Sequence, residues 1–158
     1  MRLILKLGFT LFIGMFLMAC DQASRNDSGE IIASGNLDVF SLGVGDCTND
    51  PQENIEGDEV ESVDAVPCSD PHDNEFYAAF EVSYDEFPGH SVIEAAASEG
   101  CTSRFEGFTG IDYESSILEI YPMYPTEGSW DVGDREVICA VFHMEYEKLT
   151  GSVKGLGI

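Results

Sequence analysis

The chain has 158 residues and a formal net charge of −23, from 30 acidic against 7 basic side chains. That length fits one domain of ordinary size once any leader is set aside, and that charge repels nucleic-acid phosphates and anionic lipid headgroups, which excludes nucleic acid as a partner. Hydrophobic residues make up 44%, with 10 Phe, 6 Tyr and 1 Trp, so a packed core is affordable and a wholly disordered chain is excluded.

Residues 1–19, MRLILKLGFTLFIGMFLMA, hold no acid, place Arg2 and Lys6 at the front, and run almost without polarity from Leu7 to Ala19. This is the layout of an export signal. The uncharged run is too short for a spanning helix, which needs about 20 residues. It ends in Leu17-Met18-Ala19-Cys20, which resembles a bacterial lipobox; the resemblance implies that Cys20 is acylated and becomes the first residue of the mature chain. Loss of Arg2 and Lys6 with the leader leaves 5 basic and 30 acidic residues, 5 − 30 = −25. Attachment to the cell membrane, on its extracytoplasmic face, then rests on the acyl group alone.

After the leader the chain divides into a lipidated Cys20 with a flexible tether, residues 20–37, and a domain, residues 38–158. The tether reads DQASRNDSGEIIASGNL from Asp21 on, rich in Ser, Asp, Asn and Gly, with only Ile31 and Ile32 as apolar residues able to dock. Short strands are expected at 38–42 and 59–66. The stretch 75–83 alternates, with Phe76, Ala78, Phe80 and Val82 on one face and Tyr77, Ala79, Glu81 and Ser83 on the other, as a half-buried strand does. Ser91-Val92-Ile93-Glu94 matches a capping box and predicts a helix start, after which Ile93, Ala97, Cys101 and Phe105 recur every four residues, followed by Phe108. Gly107 and Gly110 supply the stop. A further strand is expected at 116–121, and 135–144 is apolar on both faces through Val137, Ile138, Cys139, Ala140, Val141 and Phe142, as a strand inside a covered sheet is. The fold class is α+β, a mainly antiparallel sheet packed against one principal helix.

Cys47, Cys68, Cys101 and Cys139 form an even set in a chain read as exported, so two disulfides are expected. Three pairings are open and spacing alone chooses none. The favoured pairing joins Cys47 to Cys68, clamping the acidic loop to neighbouring strand ends, and Cys101 to Cys139, stapling the helix to the inner strand. A four-thiolate zinc site is the rival, but no two of these cysteines lie two to four residues apart. Asp46, Asp50, Glu53, Glu56, Asp58 and Glu59 invite calcium, yet the EF-hand spacing is missing and a solvated loop is the expectation. No metal, cofactor or catalytic residue is assigned.

A family likeness is carried by Val44-Gly45-Asp46-Cys47, Val66-Pro67-Cys68-Ser69-Asp70-Pro71-His72-Asp73-Asn74-Glu75, Phe87-Pro88-Gly89, Gly100-Cys101, Tyr124-Pro125-Thr126-Glu127-Gly128-Ser129-Trp130, Gly133-Asp134-Arg135 and Thr150-Gly151-Ser152. Over residues 38–154 this series resembles the septum formation domain family of exported or membrane-tethered bacterial proteins. The resemblance implies a cell-envelope role and brings no catalytic residues. His72 and Glu75 near Cys68 suggest at first a catalytic or metal cluster; the plainer expectation is that His72 bonds a loop carbonyl. Trp130 is expected to pack over the Gly-rich turn, with Arg135 paired to a carboxylate; the sharper reading makes Trp130, Tyr121, Tyr124 and Arg135 a partner-binding surface. The function expected is a membrane-anchored, non-catalytic binding or structural module, partnered by an envelope protein or the cell wall. The rival is a carboxylate-dependent envelope hydrolase, whose mark would be a deep pocket joining His72 to acids.

Overall fold

The structure, a computed structural model, describes residues 22–50 and 60–158. The expected leader, Cys20 and the middle of the acidic loop lie outside them. In chain order the elements are β1 (Ser24–Arg25), β2 (Ile31–Ala33), β3 (Gly35–Asp38), a 3-10 turn (Val39–Ser41), β4 (Cys47–Asn49), β5 (Ser62–Val66), β6 (Asn74–Glu81), α1 (His90–Thr109), a second 3-10 turn (Tyr113–Ser115), β7 (Leu118–Met123), α2 (Glu127–Asp131) and β8 (Glu136–His143). The domain is α+β. A six-stranded antiparallel sheet in the order β3-β5-β4-β6-β8-β7 carries α1 on one face, and β1 and β2 make a separate antiparallel pair. Among the described residues no helix is long and apolar enough to cross a membrane.

The inner strand is β8, between β6 and β7. Its alternation sends Val137, Cys139 and Val141 to the helix side and Ile138 and Ala140 to the other, and all five are buried. That double burial is why the sequence there is apolar at every position. The helical stripe behaves as its spacing requires, with Ile93, Ala97, Cys101 and Phe105 each fully enclosed. Gly110 ends α1 in the left-handed conformation at φ 84°, with its N–H bonded to Glu106 O; Gly107 lies within the helix.

Four expectations are corrected. Ser91 is not the helix cap: α1 begins at His90 after Gly89, whose φ of 92° is open to glycine, and no side chain caps it. The strand expected at 38–42 instead ends at Asp38, because the Asp38 side chain accepts the Phe40 N–H and bends the chain into a 3-10 turn. Phe76 does not share a face with Ala78. Phe76 opposes Ala140 and Ala78 opposes Cys139, so Tyr77 is an extra residue in β6; this bulge turns Phe76 to the far face and leaves Tyr77 with Ala78 beneath the helix.

The fourth correction falls on the tether. Where a flexible segment is expected through residue 37, β1 and β2 pair, Gln22 bridges to Asn36, and β3 joins the main sheet beside β5. The physical reason is long-range. Arg25 makes a two-pronged pair with Asp46, Nη1 to Oδ1 at 2.6 Å and Nη2 to Oδ2 at 2.7 Å, and donates also to Gly29 O and Ser41 O. Ile31 and Leu37 are buried with Phe76 and Ile138, while Ile32 is exposed.

Candidate functional site

The residues that carry the family likeness gather at two places. The first lies where β4, β5 and β6 begin or end. Cys47 opens β4, Cys68 follows β5, and their disulfide spans 5.2 Å between Cα atoms. β4 and β5 are joined through residues 50–61 at their other end, so the bridge closes the hairpin opposite the acidic loop rather than clamping that loop. Beside the sulfurs Glu75 is buried. Its Oε1 accepts Ser152 Oγ at 2.5 Å and its Oε2 accepts Val153 N at 2.7 Å, so the carboxylate ties the C-terminal segment to β6.

The same segment is fastened twice more. His72 and Leu149 exchange backbone hydrogen bonds at 3.0 and 2.8 Å, and Gly151 N–H donates to Cys68 O at 2.7 Å, with Gly151 at φ 77°. His72 is fully enclosed, and its Nδ1–H donates to Asp70 O at 2.8 Å, the loop-carbonyl bond expected of it. Its Nε2 has no hydrogen-bond partner among the described residues. Cys47 Sγ, Cys68 Sγ and a Glu75 oxygen lie within 4.8 Å of one another, a spacing that suits a metal. The two sulfurs are bonded to each other, however, and a disulfide has no thiolate to ligate a metal or attack a substrate.

The second place is the corner before β8. Thr126 Oγ1 accepts Ser129 N–H at 3.1 Å while Ser129 Oγ accepts Thr126 N–H at 3.0 Å, a capping box that starts α2. Ser129 Oγ donates to Asp134 Oδ2 at 2.8 Å, and Asp134 Oδ1 accepts Glu136 N–H, which sets the first residue of β8. Gly133, at φ 101°, makes the turn between them. Trp130 is only 5% exposed and packs edge-on against Phe87. Arg135 lies over the indole, 3.5 Å from its centre, and Nη1 donates to Trp130 O at 2.9 Å and Asp134 O at 2.5 Å. The carboxylate partner expected for Arg135 is thus replaced by a ring and two carbonyls, which satisfy a planar cation as well.

Of the four residues expected to form a partner-binding surface, Tyr121 and Tyr124 line one groove, and Trp130 and Arg135 lie outside it. Trp130 and Tyr124 pack into the helix-side core, whereas Tyr121, opposite Ala140, points to the far face and is 50% exposed. The structure gives three residues roles that the sequence does not reveal. Asp46 is 3% exposed and holds Arg25, whose guanidinium is driven further towards its charged form by that hydrogen bond. The Tyr77 hydroxyl donates to Cys101 O at 2.8 Å, and burial pushes its ionisation up. Tyr113 donates to Glu119, and that bond, with burial and the nearby charge, pushes its pKa up to about 12.

A second disulfide, Cys101–Cys139, fastens the buried face of α1 to β8. The fold and both sites define a disulfide-stapled α+β domain in which Asp46, His72 and Glu75 are buried and the other marked polar residues are tied into the fold by hydrogen bonds. The sequence model of the family described as Septum formation matches residues 37–155, and the chain belongs to that family. No curated protein and no solved structure matches it.

Proposed function

We propose that this chain is a lipid-anchored module of the cell envelope, attached through Cys20 on the extracytoplasmic face and serving septum formation by binding a partner, without chemistry of its own. One observation carries the reading. The side chains that suggest reactivity in the sequence are engaged in holding the fold: Cys68 is bridged to Cys47, Glu75 accepts one hydrogen bond each from Ser152 and Val153, the enclosed His72 donates through Nδ1 to Asp70 O, and Arg135 clamps Trp130. Support for the anchor comes from the lipobox-like Leu17-Met18-Ala19-Cys20 and the charge-poor, apolar leader before it.

Two measurements test it. Cys20→Ser is expected to lose labelled acyl chains and to leave the membrane fraction; unchanged partition contradicts the anchor. Glu75→Gln and His72→Gln, scored for division in cells lacking the wild-type chain, are expected to act only as far as they lower the amount of folded protein. A fully folded, fully abundant variant that fails in division would favour the hydrolase instead.

A further inference from the structure

A broad open groove with an apolar, aromatic floor and an acidic rim runs along the sheet face away from α1 and reaches round β7 to His90, Glu94 and Ser98 at the start of α1. Phe76, Ile138, Phe142, Met123 and Tyr121 contribute to the floor, with Tyr146 at its side. Three of the aromatic residues of this groove stand out in solvent: Tyr146 is 78% exposed, Phe40 69% and Tyr121 50%. Tyr146 stacks on Phe142 with ring centres 5.6 Å apart, and its backbone holds φ 57°, which a bulky side chain rarely adopts. A protein surface seldom presents three such rings in one groove without a partner.

The rim supplies the chemistry of that partner. Asp38, Asp50, Glu61, Asp64, Asp134 and Glu136 line the groove, none of them ion-paired among the described residues, and no described Lys or Arg lines it. Lys148, which reaches Asn49 on the rim, is neutralised by Asp73 at 2.6 Å. A second copy of this acidic chain would meet like charge, as would an anionic lipid surface, and an uncharged glycan would leave the carboxylates uncompensated. Lysine or arginine side chains satisfy the rim and can lie against the ring faces, while apolar side chains fill the floor.

We infer that this groove is the docking surface for a basic, amphipathic polypeptide segment of an envelope partner. The inference rests on the binding-module reading and adds the place and the chemistry. The test uses the full chain, oxidised and held in nanodiscs of zwitterionic lipid, against three synthetic peptides: lysine interspersed with leucine and tryptophan, the same peptide with glutamate for lysine, and oligolysine.

The lysine–apolar peptide is expected to bind, with affinity falling about tenfold from low to high salt. Tyr121→Ala with Tyr146→Ala should weaken it about tenfold. Asp38→Asn with Glu61→Gln should weaken it and flatten the salt dependence. All four residues are solvent-facing, so unchanged thermal unfolding certifies the fold of the variants. Equal binding by wild type and variants, equal binding of oligolysine, or preference for the glutamate peptide would overturn the groove. If the peptides fail while a photo-crosslinker at Glu106, exposed on the part of α1 outside the groove, still captures one reproducible envelope protein, the groove is wrong and the binding module stands. Failure of both removes both.

Discussion

Glu75 is a buried carboxylate with two donors and no cation against it among the described residues. Its removal leaves the Val153 N–H enclosed and unpaired, and hydrogen bonds to a charged acceptor are worth about 1.5–3 kcal/mol each. Glu75→Ala should therefore lower stability by about 2–3 kcal/mol in denaturant unfolding and free the Val153 amide to exchange; a loss below about 0.5 kcal/mol, typical of surface positions, would contradict the role given to it. Trp130 separates packing from recognition. As a core residue, Trp130→Ala should cost about 3–5 kcal/mol, while a surface anchor would leave stability nearly unchanged. Tyr113 adds a pH dependence. Its folded pKa lies near 12, above the ordinary phenol value of 10, so the neutral form is favoured in the folded state. That contribution is intact below about pH 10 and is lost as pH rises towards 12. Tyr113→Phe should remove part of the alkaline loss of stability, read by unfolding at a series of pH values.

At the scale of elements, the two bridges close spans of 21 and 38 residues. The chain-entropy relation assigns each about 3–4 kcal/mol. Paired replacement of Cys101 and Cys139 by alanine should cost about that much in denaturant unfolding and free α1 from β8, seen as faster amide exchange in the last turns of the helix. Much of this level was legible in sequence. The four-residue stripe placed Cys101 on the buried face, and the two-sided apolar run placed Cys139 in an inner strand, so the favoured pairing followed from which faces met. The N-terminal strands were hidden because their composition is that of a linker and what orders them, the Arg25–Asp46 pair, joins residues 21 apart. The bulge at Tyr77 was hidden because an alternating pattern carries no mark of an inserted residue. Ser91-x-x-Glu94 fits a capping box better in letters than Thr126-x-x-Ser129 does, yet the box forms at Thr126, where Pro125 is fully buried and fixes the approach. At the first family site, Ser152 and Val153 were invisible as partners of Glu75, since they lie 77 and 78 residues away.

For the whole molecule, charge is the dominant fact. Against the 30 acids only two ion pairs form among the described residues, Arg25–Asp46 and Lys148–Asp73. Arg104 and Arg135 lie over Phe80 and Trp130 instead. The surplus repels itself, and moderate salt should raise the unfolding midpoint by screening it; a midpoint that falls with salt would mean that surface pairs, rather than repulsion, dominate. The docked N-terminal segment changes the geometry of the proposed anchor. Gln22 is bridged to the domain and only Asp21 lies between it and Cys20, so an acyl group on Cys20 would hold the domain against the membrane rather than at the end of a tether. Limited proteolysis should spare the 22–37 stretch in the wild type and cut it in Arg25→Ala.

All of this depends on the chain reaching an oxidising compartment with its sulfurs bridged. Mass spectrometry of protein taken from intact cells, with free thiols blocked at lysis, reads that directly. The account predicts an acylated Cys20 at the amino terminus and two linked peptide pairs, Cys47 with Cys68 and Cys101 with Cys139. Four blocked, unlinked thiols on a chain that retains its leader would contradict it.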